Sequence, residues 1–191
     1  MRQKLFKAIL AVAVLGLPGV AQAHVGFLVE PSVGWHIGHA DNTGSTADMD
    51  FRGLGFDLKA ALVSGNFEIG ALGGYGLMHD NDDPLSAPAD QWLNVGAFAG
   101  YYFHPLRISL RAGYDFVSNQ TFGGGSGNGN RGNGFRFGLL GHVARHIALS
   151  AEYLMTTVTA STQGPVKSYY PKTSQPKENS FLVSLSVPFQ G

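Results

Sequence analysis

The sequence contains no cysteine and few charged residues. None of its 191 residues is Cys, and Asp, Glu, Lys and Arg together make up 14% of the chain. The absence of Cys excludes disulfide bonds, thiolate metal sites, a cysteine nucleophile and a lipid-modified cysteine. The 13 basic residues balance the 13 acidic residues, which excludes a broad basic surface and predicts that nucleic acid is not a partner.

Long hydrophobic runs are absent as well. No segment reaches the roughly 18 unbroken apolar residues of a membrane-spanning helix. An apolar run of about ten residues, Ala8–Leu17, follows a basic start and precedes the small-residue sequence Ala21-Gln22-Ala23. This order is typical of a secretory signal peptide, and the run is too short for a membrane anchor. We therefore predict a cleaved signal peptide over residues 1–23 and an exported domain over residues 24–191.

The exported part alternates between apolar residues and small or polar residues in eight segments. Successive side chains of a strand point to opposite faces, so each segment predicts a strand with one apolar face. The segments are about 10 to 13 residues long, close to the 9 to 11 tilted residues that cross a bilayer and longer than a usual soluble strand. They span residues 25–37, 53–62, 67–77, 93–103, 108–116, 135–143, 147–156 and 180–189.

The connections between these segments alternate in length. Short links follow the second, fourth and sixth segments, and long links follow the first, third, fifth and seventh. The long links are Gly38 to Asp50, His79 to Gln91, Ser118 to Asn133, and Thr159 to Asn179. Short periplasmic turns and long outer loops are typical of transmembrane barrels. The predicted fold is an all-β, eight-stranded antiparallel up-and-down transmembrane β-barrel.

The volume of the side chains decides which face points outward. Eight strands enclose a narrow interior, and the small or polar face carries many glycines, whereas the other face carries bulky Phe, Leu, Tyr and Trp. We therefore expect the bulky face to contact lipid; the alternative is a soluble, lipocalin-like barrel that holds a ligand. An aromatic girdle at the membrane interfaces is predicted from Trp35, Tyr75, Tyr101, Tyr114 and Tyr153.

Charged residues on the small or polar face are expected inside the barrel, where they must pair. We interpret them as a structural polar core; the alternatives are a proton relay, a gated pore or an acid–base site. The predicted lumen network consists of Glu30, Asp57, Lys59, Glu68, Arg111, Asp115, Arg136, His142 and Glu152.

Strand number, loop alternation and the final alternating segment Phe181–Phe189 carry a family resemblance. The chain resembles the small eight-stranded outer-membrane barrels of Gram-negative bacteria, the group of the OmpA transmembrane domain, OmpX and the opacity proteins. The resemblance implies a location in the outer membrane and a role in surface adhesion, host interaction or envelope stability.

Three other patterns in the sequence resemble known binding or catalytic motifs. The string Gly127–Gly132 matches G-x-G-x-x-G, but no helix is expected after it, so we interpret it as part of a flexible outer loop. Seven His residues lack the spacing of a metal motif. His36 with Asp50 or Ser45 would be the basis of a lipid A-modifying enzyme, but Ser and Asp are common in loops, so we interpret this combination as a coincidence.

Taken together, the patterns predict a monomeric, non-catalytic outer-membrane barrel, porin-like in architecture, without cofactor or metal. Its expected role is envelope integrity or surface recognition and adhesion. The alternatives are narrow-pore transport of ions or small solutes and lipid A modification. Expected partners are outer-membrane lipid, lipopolysaccharide and an extracellular protein. The predicted contact residues are in the fourth long loop: Lys167, Tyr169, Tyr170 and Lys172.

Overall fold

The computed structural model describes residues 25–41, 49–80, 89–123 and 127–191, and these form one antiparallel barrel. The short strand β8 (Val166–Tyr169) extends a hairpin with β7 (Ile147–Gln163), and β10 (Phe189–Gln190) continues the line of β9 (Lys177–Ser186) after Pro188. The predicted signal peptide lies outside the described residues. The eight wall strands are β1 (Val25–Asp41), β2 (Met49–Ser64), β3 (Phe67–Asp80), β4 (Asp90–Phe103), β5 (Ile108–Phe122), β6 (Asn128–Ala144), β7 (Ile147–Gln163) and β9 (Lys177–Ser186).

The barrel closes between its first and last wall strands. Each strand from β1 to β7 pairs antiparallel with the next, and β9 pairs with both β7 and β1. Leu185 of β9 lies opposite Leu149 on one side and Val33 on the other. Closure leaves no unpaired sheet edge, which in a membrane would expose backbone polar groups to hydrocarbon. The predicted eight-stranded up-and-down barrel is confirmed.

The two faces of the wall differ as the alternation predicts. Leu58, Ile69 and Phe137 on the outer face are 54%, 58% and 47% exposed, whereas the polar side chains between them point inward and are buried. Among the described residues, no helix is long and apolar enough to cross a membrane.

The strands run further into the predicted long loops than the alternation indicated. β5 extends to Phe122 and β6 starts at Asn128, so most of the Gly127–Gly132 string is paired strand, and the prediction of a flexible loop there was wrong. A continued ladder gives backbone N–H and C=O groups their partners, which offsets the low strand propensity of Gly and Asn. Residues 42–48, 81–88 and 124–126 of the predicted loops lie outside the described residues.

The short links between strands lie at the end of the barrel opposite the long loops, and two of them contain a residue with positive φ. The turn between β2 and β3 has Gly65 at φ 60°. The link between β4 and β5 is a 3₁₀ turn, His104–Leu106, followed by Arg107 in the left-handed conformation at φ 54°. We call this the turn end of the barrel and the opposite end the loop end.

Candidate functional site

A group of five charged side chains, here called the middle cluster, occupies the centre of the barrel interior. Arg136 Nη1 donates to Asp57 Oδ2 at 2.7 Å and to Glu152 Oε2 at 2.8 Å. Lys59 Nζ donates to Glu152 Oε1 at 2.6 Å, and Arg136 Nη2 lies 3.5 Å from Asp115 Oδ2. All five side chains are buried. Three carboxylates against two cations give this cluster a formal charge of −1.

A second group, the lower cluster, lies nearer the turn end. Arg111 donates to both oxygens of Glu30 at 2.8 Å, and its Nε and Nη2 reach Glu68 at 2.6 and 3.0 Å. Its guanidinium also lies 5.4 Å from the centre of the Phe98 ring. One cation between two carboxylates again gives a formal charge of −1. The structure thus brings eight of the nine predicted lumen residues together in two separate ion-paired clusters.

The ninth predicted lumen residue, His142, belongs to neither cluster. It is only partly buried and lines a cavity at the turn end, where its ring contacts Tyr102 with centroids 5.2 Å apart.

Two apolar groups occupy the interior on either side of these charges. The group toward the loop end consists of Ala40, Phe51, Met78, Trp92, Leu154 and Leu182. The group toward the turn end consists of Leu28, Ala61, Leu72 and Phe98, with Val63 packed against it. A soluble ligand-binding barrel would line its interior with an apolar cavity, whereas here the interior holds packed apolar and ion-paired side chains.

Inward-facing glycines leave room for the charged side chains. A Cβ atom on Gly74 would collide with Oδ1 of both Asn94 and Asp57, and one on Gly100 would collide with Glu68 Oε1. Sheet closure brings opposite walls so close that a larger residue at these positions would displace a buried carboxylate.

His36 lies inside the barrel and not at its lipid-facing edge. Its Nε2 pairs with Ser180 Oγ at 2.6 Å, and its ring packs against Phe51 and Trp92 with centroids 5.8 and 5.0 Å away. Asp50 instead bonds His39, with Nδ1 and Oδ1 2.6 Å apart. The alternative pairing of His36 with Asp50 is not formed, because the two side chains lie on opposite faces of the wall. Ser45, the other proposed partner, lies outside the described residues.

Glu178 is a buried carboxylate at the loop end. On β1 and β9 the outward-facing apolar residues end at Ile37 and Phe181, and Glu178 lies beyond them, opposite Ala40. Burial raises the pKa of Glu178 to about 7, against the opposing effect of a hydrogen bond from Asn130. None of the ion pairs in the described part of the chain involves Glu178.

The predicted girdle residues lie on the outer face. Tyr101 OH accepts a hydrogen bond from Asn66 at 3.0 Å next to the turn end. Toward the loop end, Tyr114 and Tyr153 donate to the side chains of Asn133 and Asn179 at 2.9 and 3.2 Å. Tyrosines with an apolar ring and a polar hydroxyl partner are typical of the boundary between hydrocarbon and headgroups. Trp35 and Tyr75 are 47% and 39% exposed on the same face.

The predicted contact residues lie on the hairpin of β7 and β8 and the segment after it. Lys167 lies over the ring of Tyr169 at 5.1 Å, and Tyr169 is 73% exposed. Lys172 is exposed and Tyr170 is partly buried.

Sequence reasoning missed several interior residues. Continuing the alternation would have placed Phe51, Trp92 and Glu178 inside. No such signal exists for Ser118 and Gln120, because an irregularity of β5 between Asp115 and Ser118 reverses the alternation there. Among the described residues, no group of three or more His, Cys, Asp or Glu is placed to hold a metal ion.

No protein-family model matches the sequence, and no curated protein sequence matches it. Solved structures do match the fold. Neisserial surface protein A is 16% identical, with a TM-score of 0.54 over 85% of this chain and 97% of that chain. Ail, the attachment invasion locus protein of Yersinia pestis, is 13% identical, with a TM-score of 0.54 over 85% of this chain and 98% of that chain.

Ail in complex with the heparin analogue sucrose octasulfate matches with a TM-score of 0.51 at 13% identity, over 85% of this chain and 99% of that chain. At these identities the likeness concerns the fold. The closed ring of eight strands, with its apolar outer wall and charged interior, is therefore the fold of the small outer-membrane β-barrel proteins.

Proposed function

We propose that this protein is a monomeric, non-catalytic barrel of the Gram-negative outer membrane, exported by a cleaved signal peptide, with a closed interior and a recognition surface at the loop end. The observation that carries the proposal is the reversed distribution of polarity. Large apolar side chains are exposed around the whole wall, while ion pairs fill the centre. A soluble monomer does not expose so much contiguous apolar surface, whereas a lipid-embedded barrel requires it.

The location is tested by membrane fractionation combined with heat-modifiable gel mobility. We expect the mature chain in the outer-membrane fraction, migrating faster unheated than after boiling because the folded barrel resists unfolding. A folded monomer that stays in plain buffer without detergent would contradict the proposal.

A closed interior follows from the packing of charges and apolar side chains. Across the interior, Arg111 of β5 binds carboxylates on β1 and β3. Arg136 of β6 binds carboxylates on β2 and β7. Eight strands leave space for little more than such side chains. We expect purified wild-type protein to show no conductance steps in planar bilayers, which supports envelope integrity over transport.

Narrow-pore transport is the second candidate, and the excess of carboxylates favours it. Each cluster carries a formal charge of −1, so a pathway past them would attract cations. Reproducible wild-type conductance steps that favour K⁺ over Cl⁻ would replace the closed-barrel proposal with this one.

Surface recognition is assigned to the loop end. The exposed ring of Tyr169 lies beneath Lys167, and Lys172 follows in the same segment. Such a surface, aromatic and positively charged, can bind anionic glycans such as lipopolysaccharide, and it can also bind proteins. Ail, which has a similar fold, was crystallised with a heparin analogue, and this supports a glycan as the ligand.

Lys167→Gln/Lys172→Gln should weaken binding to purified lipopolysaccharide about tenfold, and Ser168→Ala/Thr173→Ala in the same segment should not. Equal binding by all three proteins would remove this role.

A further inference from the structure

A cavity of about 520 Å³ opens at the turn end of the barrel. Its volume is in the range of small-molecule sites, roughly 300 to 1,000 Å³. The links β2–β3, β4–β5 and β6–β7 and the segment Pro188–Gln190 form its rim, and residues of the lower cluster form its floor. The interior packing closes the cavity on its inner side, and the recognition surface at the loop end is separate from it.

One wall of the cavity consists of aromatic and imidazole rings in edge-to-face contact. Tyr102 lies between His104 and His142, with ring centroids 4.7 and 5.2 Å away. The backbone N–H of His142 donates to the carbonyl oxygen of Arg107 at 2.9 Å, which ties this wall to the β4–β5 link. The side chains of the wall are therefore held in place by neighbours that belong to the barrel itself.

The charge of the cavity is positive. Arg107 and Arg145 line the rim and Arg111 the floor, where Glu68 is the lining carboxylate. Glu30 does not line the cavity but accepts a hydrogen bond from Arg111. Three guanidinium groups against these two carboxylates leave one positive charge. The two arginines of the rim have no ion pair among the described residues.

Arg107 occupies a backbone conformation that normally favours glycine or asparagine. Its φ of 54° is the one positive value among the described non-glycine residues. Strained positions of this kind concentrate at functional sites. Gly would form the same turn without strain but would remove a guanidinium from the rim.

We propose that this cavity binds a small multivalent oxyanion, such as a diphosphate or a dicarboxylate. Arg107 and Arg145 are the principal ligands, because a guanidinium group can donate two parallel hydrogen bonds to the oxygens of one phosphate or carboxylate. His104, His142 and His146 line the same cavity and offer further ring N–H donors to an anion. Short turns of outer-membrane barrels lie on the periplasmic side, so in the proposed location the site faces the periplasm.

Calorimetric titration of the detergent-solubilised mature protein with inorganic pyrophosphate tests the site. At low ionic strength and pH 6 we expect saturable binding of one anion. Arg107→Gln/Arg145→Gln should weaken binding at pH 6 by tenfold or more, on the order of one lost charge-assisted hydrogen bond.

The matched control is Arg52→Gln/Arg131→Gln, which removes two exposed arginines near the loop end. We expect this variant to bind pyrophosphate within about twofold of the wild type. Heat-modifiable mobility verifies that every variant is folded, and it also reports on the proposed barrel separately from binding. No saturation by about 10 mM pyrophosphate at pH 6, or equal weakening in the control, would overturn the proposal.

Discussion

The two charged clusters of the interior are similar in composition but differ in their surroundings. The middle cluster is enclosed by wall glycines and apolar side chains, and Lys59 and Asp57 in it are 1% and 5% exposed. The lower cluster forms the floor of the cavity at the turn end, which Arg111 and Glu68 line with 9% and 7% exposure. Because the cost of an unpaired charge depends on access to water, equal substitutions should have unequal effects in the two clusters.

Arg136→Ala should have the largest effect. It leaves Asp57, Asp115 and Glu152 with Lys59 as the remaining cation, and breaking a buried pair in this way costs about 3 to 5 kcal/mol. The measurement is the free energy of unfolding by urea in lipid vesicles. Arg131→Ala, on the exposed face of the same strand, is the control and should change stability by roughly 0.5 kcal/mol or less. Equal losses in both variants would show that the middle cluster does not stabilise the barrel.

Glu178→Gln tests a buried carboxylate outside both clusters. The pKa of Glu178 is raised to about 7 in the folded protein, so its protonation favours folding. This stabilisation is complete below the unfolded pKa and is lost as the pH rises from about 4.5 to 7. We expect Glu178→Gln to remove this decline, a difference of at most about 3 kcal/mol.

The measurement for Glu178 is the unfolding temperature from gel mobility, taken between pH 4.5 and 8. The wild type should lose stability across this range relative to the variant. Parallel curves for the two proteins would contradict the raised pKa.

Arg111→Ala should have a smaller effect on stability than Arg136→Ala. The cavity lets water reach Glu30 and Glu68 once the guanidinium is gone, so we expect a loss of about 2 kcal/mol. The same variant opens the interior on one side of the middle cluster. A loss of stability as large as that of Arg136→Ala would remove the distinction between an enclosed and a wetted cluster. If the variant gained conductance in planar bilayers while the barrel stayed intact, the gated-pore interpretation would gain support.

Gly74→Ala should have the smallest effect of the four. The new methyl group would press on Asp57 and Asn94, and such overpacking costs about 1 to 2 kcal/mol. Gly141→Ala is the matched control, because a Cβ there meets no atom within 4 Å. If both variants unfold at the same urea concentration, the inward glycines do not make room for the middle cluster.

The alternation of side chains determined much of this protein. Each strand has a period of two, so the sequence by itself predicted which side chains face outward and that Glu30, Asp57, Arg111 and Arg136 face inward. Residue volume then assigned the bulky face to the outside. These are local properties, and they do not depend on which strand lies opposite.

Tertiary structure decided the partners. Arg111 joins Glu30, 81 residues away, because closure brings β1 and β5 across a narrow interior. The irregularity near Phe116 turns Ser118 inward to accept a hydrogen bond from Trp92, although continued alternation places it outside. A sequence pattern repeats along one strand, whereas pairing across the barrel depends on the register and tilt of all eight strands together.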